Sequence, residues 1–219
     1  MSVFDAVIFD CDGVLVDSEP IAQEVLSSVL GQLGVKMTPD EVGEQFFGKT
    51  VQQCIELAEQ MIGRSIPADF IAHWREELYT TYRNRPVRAV RGVREVVEQL
   101  AVPVCVASNG PLEKMRTTLG VTGLLPLFEG SLFSPDLGIA GKPEPDLFLA
   151  AAQSVNADPK KCAVIEDSAG GVRGALAAGM QVFGFTGLPH IDAAALEVAG
   201  ARTFVSMTDL PKMLSRSGS

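Results

Sequence analysis

Histidine is scarce in this chain of 219 residues, which contains only His73 and His190. A Ser-His-Asp triad and a histidine-ligated metal centre both need imidazole groups, so the sequence leaves little room for either. Cysteine is sparse as well. The four cysteines are scattered, without a CxxC pair or a histidine partner at metal-ligand spacing. We therefore expect reduced thiols that are mostly buried.

Long apolar runs and an excess of positive charge are also missing. No run of about eighteen apolar residues occurs, and no basic segment precedes the short apolar stretch near the N-terminus, so neither a membrane-spanning helix nor a signal peptide is indicated. The net charge of -9 argues against a nucleic-acid partner. We expect a cytoplasmic protein, a monomer or small homo-oligomer, whose partner is a small molecule.

Short apolar runs that end at once in polar or glycine residues recur along the chain. They span Ala6–Phe9, 102–107, 162–165 and Gln181–Phe185, and each is typical of a buried parallel strand. Helical patterns lie between the later runs. Strands that alternate with helices predict an α/β fold with a doubly wound parallel sheet, that is, a Rossmann-like core.

The segment after the first strand breaks this alternation. Residues 18–85 show helical patterns throughout and no strand, and the TPDE sequence at 38–41 is a capping box with proline at the first helical position. We therefore predict a helical insertion, or cap, over residues 16–87. The α/β core would then consist of residues 1–15 and 88–219.

Two aspartates, Asp10 and Asp12, directly follow the first apolar run. Close carboxylates repel one another and lose hydration near a core, so a cation or a reaction must offset the cost. An Asx-type turn at Asp12-Gly13 is one alternative explanation. A calcium loop is another, but Val14 stands at its third ligand position and Ile21 where a bidentate glutamate is required.

Polar residues follow the later strands in the same way. Ser108 and Asn109 come after one apolar run, Glu166 and Asp167 come after another, and Lys142 precedes a helical pattern. Each residue alone is usually a helix cap or a solvated surface group. In an open α/β sheet, however, ligands bind at the carboxyl ends of the strands. Their convergence on one edge therefore predicts a functional site.

These groups fit phosphoryl transfer, in which a protein positions the phosphoryl group and neutralises its charge. Mg²⁺ prefers oxygen ligands, which Asp10, the backbone carbonyl of Asp12 and Asp167 could supply. Lys142 and Ser108 would hold the phosphoryl oxygens. Asp10 would attack phosphorus and form an aspartyl-phosphate. Asp12 would protonate the leaving alcohol and later take a proton from water.

The ordered motifs DxDGVxxDS, SNG, GKPxPD and EDS resemble the four motifs of the haloacid dehalogenase superfamily, and the match spans almost the whole chain. Helices inserted directly after the first motif resemble the subclass with a small α-helical cap. The resemblance implies a magnesium-dependent enzyme with these site residues: the nucleophile Asp10, the acid/base Asp12, the phosphate binder Ser108, the charge anchor Lys142, and the metal-binding acids Glu166 and Asp167.

Asp12, two residues after the nucleophile, resembles phosphatases and phosphomutases rather than dehalogenases. β-Phosphoglucomutases carry a histidine on the first cap helix and an arginine in the cap loop, and neither occurs in residues 21–25 or 46–53. The resemblance therefore favours transfer to water. It is strongest to bacterial sugar-phosphate phosphatases of the 6-phosphogluconate kind, and a β-phosphoglucomutase-like phosphomutase stays the alternative.

A phospho-receiver signalling domain is the best alternative that is not an enzyme. It also combines an acidic pair, a phosphoacceptor aspartate, a hydroxyl and a lysine on a doubly wound sheet. Receivers place the acidic pair early and the acceptor later, whereas in this chain Glu166 and Asp167 follow Asp10. The order of the motifs therefore disfavours a receiver.

Substrate choice is expected to come from the cap, because a lid excludes water and reaches the part of a substrate away from phosphorus. Lys49 and Thr50 are the candidates, together with Asn109 at the core. Thr50 as a helix cap beside a solvated Lys49 is an equally good explanation. Glu19 either faces the site or favours a helix N-terminus electrostatically. The sequence assigns no role to His190.

Overall fold

The computed structural model describes residues 3–46 and 51–216. The chain divides into two compact units. The first unit comprises residues 1–17 and 87–219, and the second comprises residues 18–86. The chain therefore leaves the first unit once and returns to it once.

The first unit is built on a parallel sheet. Within the described residues its strands are β1 (Ala6–Phe9), β2 (Val16–Asp17), β3 (Arg88–Ala89), β4 (Val104–Ala107), β5 (Leu132–Phe133), β6 (Cys162–Glu166), β7 (Gln181–Phe185) and β8 (Arg202–Phe204). Six of these described strands pair in the order β5-β4-β1-β6-β7-β8, and every pairing is parallel. This arrangement confirms the predicted α/β fold with a parallel sheet.

The two strands of the six-stranded sheet that the sequence missed are short and lie at its edges. β5 has only two residues, and β8 has three, of which Arg202 is exposed. Apolar periodicity is too weak to detect such segments. The strand predicted over 102–107 begins at Val104, because Pro103 has no backbone N–H to donate to the ladder.

Val16 and Asp17 belong to the first unit, not to the insertion that the sequence predicts over residues 16–87. They form β2, which pairs antiparallel with β3, so that Val16 lies opposite Ala89 and Asp17 opposite Arg88. Val87 falls in the first unit as well. The pairing of the two chain segments explains why the insertion starts two residues later, and ends one residue earlier, than the patterns indicated.

Helices joined by short loops make up the second unit in its described residues. Its helices are α1 (Glu19–Gln32), α2 (Pro39–Phe46), α3 (Val51–Ile62) and α4 (Phe70–Asn84). α1 packs against both α2 and α4. The predicted capping box at the start of α2 is present, since the N–H of Thr38 donates to Glu41 Oε2 at 2.7 Å and the N–H of Glu41 donates to Thr38 Oγ1 at 3.3 Å.

Helices of the first unit pack on the sheet and bury its apolar face. They are α5 (Val93–Gln99), α6 (Leu112–Val121), α7 (Asp146–Ser154), α8 (Ala169–Ala177), α9 (Ala193–Val198) and α10 (Leu210–Arg216). Ile8, Leu147, Val164 and Val172 are fully buried in the core between strands and helices. In the described part of the chain, every helix is too short or too polar to cross a membrane.

Candidate active site

Three neighbouring strands bring the predicted site residues to one edge of the sheet. β1 lies between β4 and β6 and pairs in parallel with both. Asp10 directly follows β1, Ser108 directly follows β4, and Glu166 is the last residue of β6. Because parallel strands end on the same side, these side chains lie at the carboxyl edge, where ligands bind in open α/β sheets.

Lys142 reaches this edge from the loop before α7 and joins two of the carboxylates. Its Nζ donates hydrogen bonds to Asp10 Oδ1 and Glu166 Oε1. The ring centroid of Phe148 lies 5.2 Å from the same Nζ. The exposed fraction of the side chain is 5% for Lys142, 10% for Asp10 and 0% for Glu166. The ammonium group is therefore a fixed positive charge at the end of the central strands.

Burial and charge together shift the pKa values in this cluster. Desolvation raises the pKa of Asp10 to about 7, although Lys142 opposes the shift. Desolvation also lowers the pKa of Lys142, but the charges of Asp10 and Glu166 outweigh it and hold the net pKa above its ordinary value. The pKa of Asp167 is raised well above its usual range, by desolvation first and by the charge of Asp10 second. Ionising all the carboxylates is therefore costly without a further cation.

Glu166 is held by the start of α8 as well as by Lys142. Its Oε2 accepts the N–H of Asp167 at 3.0 Å, the N–H of Ser168 at 2.9 Å and the hydroxyl of Ser168 at 2.9 Å. A Cβ on Gly171 would lie 1.9 Å from Oε1, so only glycine leaves room for the carboxylate. These contacts show that Glu166 orients the side chain of Lys142. Its sequence-based role as a metal ligand stays a prediction.

Asn109 ties the loop after β4 to the backbone of Lys142. Its Nδ2 donates to the Lys142 carbonyl at 3.0 Å, and the Lys142 N–H donates to Asn109 Oδ1 at 2.7 Å. Both ends of the side-chain amide are thus engaged with one peptide segment. The predicted phosphate-binding role of Asn109 stays a prediction, whereas its contacts give it a role in positioning Lys142.

Asp12 is paired with a lysine that the sequence analysis missed. Lys114 Nζ lies 3.0 Å from Asp12 Oδ2, and each side chain is 16% exposed. Lys114 belongs to the first turn of α6, directly after the SNG motif. Its position in the sequence could have identified Lys114, because a helix that starts at the carboxyl end of a strand presents its first turn to the same edge of the sheet.

A divalent cation suits the chemistry of this edge. The turn after β1 brings Asp167 close, since a Cβ on Gly13, whose φ is +83°, would lie 1.9 Å from Asp167 Oδ2. Among the described residues, no three acidic, histidine or cysteine side chains form by themselves a group that could hold a metal. Magnesium, however, keeps several waters and needs only one or two carboxylates. Asp10, Asp167 and the Asp12 carbonyl are a suitable donor set.

The remaining residues considered in the sequence lie elsewhere in the chain. Glu19 is the first residue of α1 in the second unit. Lys49 and Thr50 lie outside the described residues. His190 is exposed in the loop after β7. Substrate contacts of Glu19, Lys49 and Thr50 therefore stay predictions.

Replacing Gly171 with alanine is expected to destabilise the protein, because the new Cβ would overlap Glu166 and displace it from Lys142. Gly170 provides a matched control, since the nearest atom to a Cβ there is Arg173 Nη2 at 4.0 Å. We expect G171A to lower the free energy of unfolding by about 1–3 kcal/mol. We expect G170A to change it by less than about 1 kcal/mol, in the stabilising direction. Urea denaturation measures both, and equal stabilities would contradict this packing.

Known proteins resemble this chain over its whole length. It is 31% identical over 219 residues to the 6-phosphogluconate phosphatase of Escherichia coli (strain K12), covering 100% of this chain and 98% of that protein. A haloacid dehalogenase family hydrolase from Deinococcus radiodurans R1, solved with bound phosphate and sodium, superposes with a TM-score of 0.81 at 34% identity. That match covers 100% of this chain and 98% of the other.

A phosphomutase-like structure is also similar. The putative β-phosphoglucomutase from Thermotoga maritima has a TM-score of 0.81 at 27% identity, covering 97% of this chain and 99% of that one. The haloacid dehalogenase-like hydrolase family itself matches residues 4–179, which include every motif residue at the carboxyl edge. The chain belongs to the haloacid dehalogenase-like hydrolases, and within that family it is a phosphatase.

Proposed function

We propose that this phosphatase hydrolyses monoesters of small phosphorylated sugars or sugar acids, with magnesium and through a phosphoryl group carried on Asp10. One observation carries the proposal. The Asp10 carboxylate follows the central strand of three at the carboxyl edge and is bonded to the buried ammonium of Lys142. A carboxylate beside a fixed positive charge is suited to attack an anionic phosphoryl group.

Asp10 is the proposed nucleophile. Its Oδ1 bonds Lys142, so the direction of the carboxylate is fixed before a substrate binds. Burial raises the pKa of this group and so favours its protonated form, and a protonated carboxyl is a poor nucleophile. A cation beside it would favour the ionised form. The nucleophile therefore needs the metal as well as the lysine.

Asp10, Asp167 and the backbone carbonyl of Asp12 would hold the magnesium ion. When bound, the ion neutralises negative charge on the phosphoryl oxygens and on the nearby carboxylates. Burial and the charge of Asp10 raise the pKa of Asp167. This shift supports the placement, because a bound cation would stabilise the ionised carboxylate that burial disfavours.

Ser108 and Lys142 are the proposed ligands of the phosphoryl oxygens. Ser108 is 3% exposed, and its Oγ accepts the N–H of Gly110 at 3.1 Å, which leaves its hydroxyl hydrogen to donate. Lys142 supplies a positive charge whose position is fixed by its two carboxylate partners. Together they would bind the same group that Asp10 attacks.

Asp12 is the proposed acid and base. In the first step an Asp10 oxygen bonds to phosphorus, the bond from phosphorus to the alcohol oxygen breaks, and Asp12 gives its proton to that oxygen. In the second step Asp12 takes a proton from water, the water oxygen attacks phosphorus, and the bond to Asp10 breaks. The alcohol and inorganic phosphate leave, and both carboxyl groups return to their initial states.

The helical second unit is the proposed source of substrate choice, with Glu19, Lys49 and Thr50 as candidates. The substrate class is supported by the Escherichia coli relative, which is a 6-phosphogluconate phosphatase, and the phosphate in the Deinococcus structure supports phosphate binding. The Thermotoga structure favours a phosphomutase as the second candidate. Residues 21–25 and 46–53 lack the histidine and arginine of that activity, so hydrolysis is preferred.

Phosphate release from a panel of phosphate esters tests the proposed function. The panel contains sugar phosphates, 6-phosphogluconate, phosphoglycolate, nucleotides and pyrophosphate, and D10N serves as the blank. We expect release from one or more sugar or sugar-acid phosphates and a loss of roughly 10³-fold or more in D10N. Conversion of glucose 1-phosphate into its 6-isomer without release would favour the mutase instead. Full activity in D10N would contradict the nucleophile.

Thermal unfolding with and without magnesium tests the cation site independently of turnover. A bound ion stabilises the folded state, so an ion concentration 100-fold above its Kd is expected to raise the Tm of the wild type by about 5–10 °C. D167N should lose most of this shift because it removes one of the two negative charges proposed to bind the ion. D5N is the matched control, since Asp5 precedes β1 at the opposite end of the strand. An equal shift in D167N and the wild type would contradict the proposed ligands.

A further inference from the structure

Lys114 is the second cation at the carboxyl edge, and the steps described so far do not use it. Its Nζ lies 3.0 Å from Asp12 Oδ2, and each of the two side chains is only 16% exposed. The ion pair is thus partly shielded from water, which strengthens it relative to a surface pair. Asp12 is the group that handles the proton in the proposed mechanism. A fixed partner of Asp12 therefore acts on the same step.

Gly110 lies beside the contact between Lys114 and Asp12. A Cβ at Gly110 would lie 3.4 Å from Ser108 Oγ, 3.6 Å from Asp12 Oδ2 and 3.7 Å from Lys114 Cδ. One small region above the Gly110 backbone is therefore bordered by the phosphate-binding serine, the acid and the lysine. Lys114 lies close enough to the reacting groups to orient one of them.

The backbone that carries Lys114 is held in place. The N–H of Leu112, at the start of α6, donates to Asp136 Oδ2 at 2.8 Å. The hydroxyl of Ser134 donates to the Gly110 carbonyl at 2.8 Å. The hydroxyl of Thr118, which is fully buried, donates to the Lys114 carbonyl at 3.0 Å. These contacts fix the first turn of α6 relative to the sheet, as a positioning role requires.

The two aspartates of the first motif have different lysine partners. Asp10 is bonded to Lys142, which also contacts Glu166 at the end of β6. Asp12 is bonded to Lys114 on α6. A separate cation beside each of the two neighbouring carboxylates reduces their mutual repulsion. The proposed nucleophile and the proposed acid thus each have their own lysine.

We propose that Lys114 is a positioning residue, which holds Oδ2 of Asp12 so that the carboxyl group is directed at the leaving oxygen of the substrate. The inference rests on the proposed function and deepens it. Lys114 touches neither phosphorus nor the nucleophile in this scheme. Its contribution therefore appears only where the transfer of a proton from Asp12 limits the rate.

Leaving-group dependence separates this role from a structural one. An alkyl phosphate has a strongly basic leaving oxygen, which needs a proton as the bond to phosphorus breaks, whereas p-nitrophenolate leaves without one. The value of kcat/KM reports the first step, in which Asp12 is the acid. We expect K114M to lower kcat/KM about 10–100-fold for the sugar phosphate found in the panel, and less than about 3-fold for p-nitrophenyl phosphate.

Three further variants complete the experiment. D12N is expected to show the same substrate-dependent pattern. K114M in the D12N background should lower kcat/KM little further, because both substitutions impair the same function, proton donation by Asp12. K114R should recover part of the loss, and K114Q gives a second neutral variant if K114M does not fold. K161M is the matched control, since it also removes a lysine beside an aspartate, Asp5 at 3.8 Å, in the same unit.

An equal fall in kcat/KM for both substrates would overturn the inference, because a lysine that only binds phosphate or stabilises the fold does not distinguish leaving groups. Unchanged kinetics in K114M, or full additivity with D12N, would overturn it as well. Failure of the proposed function gives a different result, in which the wild type releases phosphate from neither ester.

Discussion

The buried ammonium of Lys142 is the interaction on which the site depends. Removing a charge from water costs several kcal/mol, and the cost is offset only when partners of opposite charge are held in good geometry. Asp10 and Glu166 supply those partners. The same contacts fix the carboxylate that we propose as the nucleophile. Loss of this lysine would leave two buried carboxylates without their shared cation.

The rest of the site holds this lysine and its partners in place. Asn109 bonds the Lys142 backbone. Asp167 and Ser168, just before α8, bond Glu166, and Gly171 leaves room for its carboxylate. Burial first, and the charges of neighbouring carboxylates second, raise the pKa values of Asp10 and Asp167. A divalent ion and an anionic phosphoryl group would balance each other at such an edge. The buried carboxylates thus account both for the raised pKa values and for the cation that the proposed reaction needs.

The parallel sheet and the convergence of motifs were predictable from the sequence, because the buried strands β1 and β6 are apolar runs whose ends are marked by acidic residues. The edge strands β5 and β8 were not predictable, since they are short and each pairs with only one neighbouring strand. Side-chain partners were not predictable either. The pairing of Lys114 with Asp12, and of Asn109 with the Lys142 backbone, joins residues distant in sequence, and no local pattern encodes such contacts.

Chemical trapping of the phosphoenzyme shows which side chain carries the phosphoryl group during turnover. An acyl phosphate on aspartate is reduced by borohydride to homoserine, so enzyme quenched during turnover can be reduced, digested and sequenced by mass spectrometry. The account predicts homoserine at position 10, only when substrate is present, and none in D10N. Homoserine at Asp12 or Asp167 instead, or its absence under conditions in which single-turnover kinetics show a burst of alcohol release, would contradict the claim that Asp10 carries the phosphoryl group.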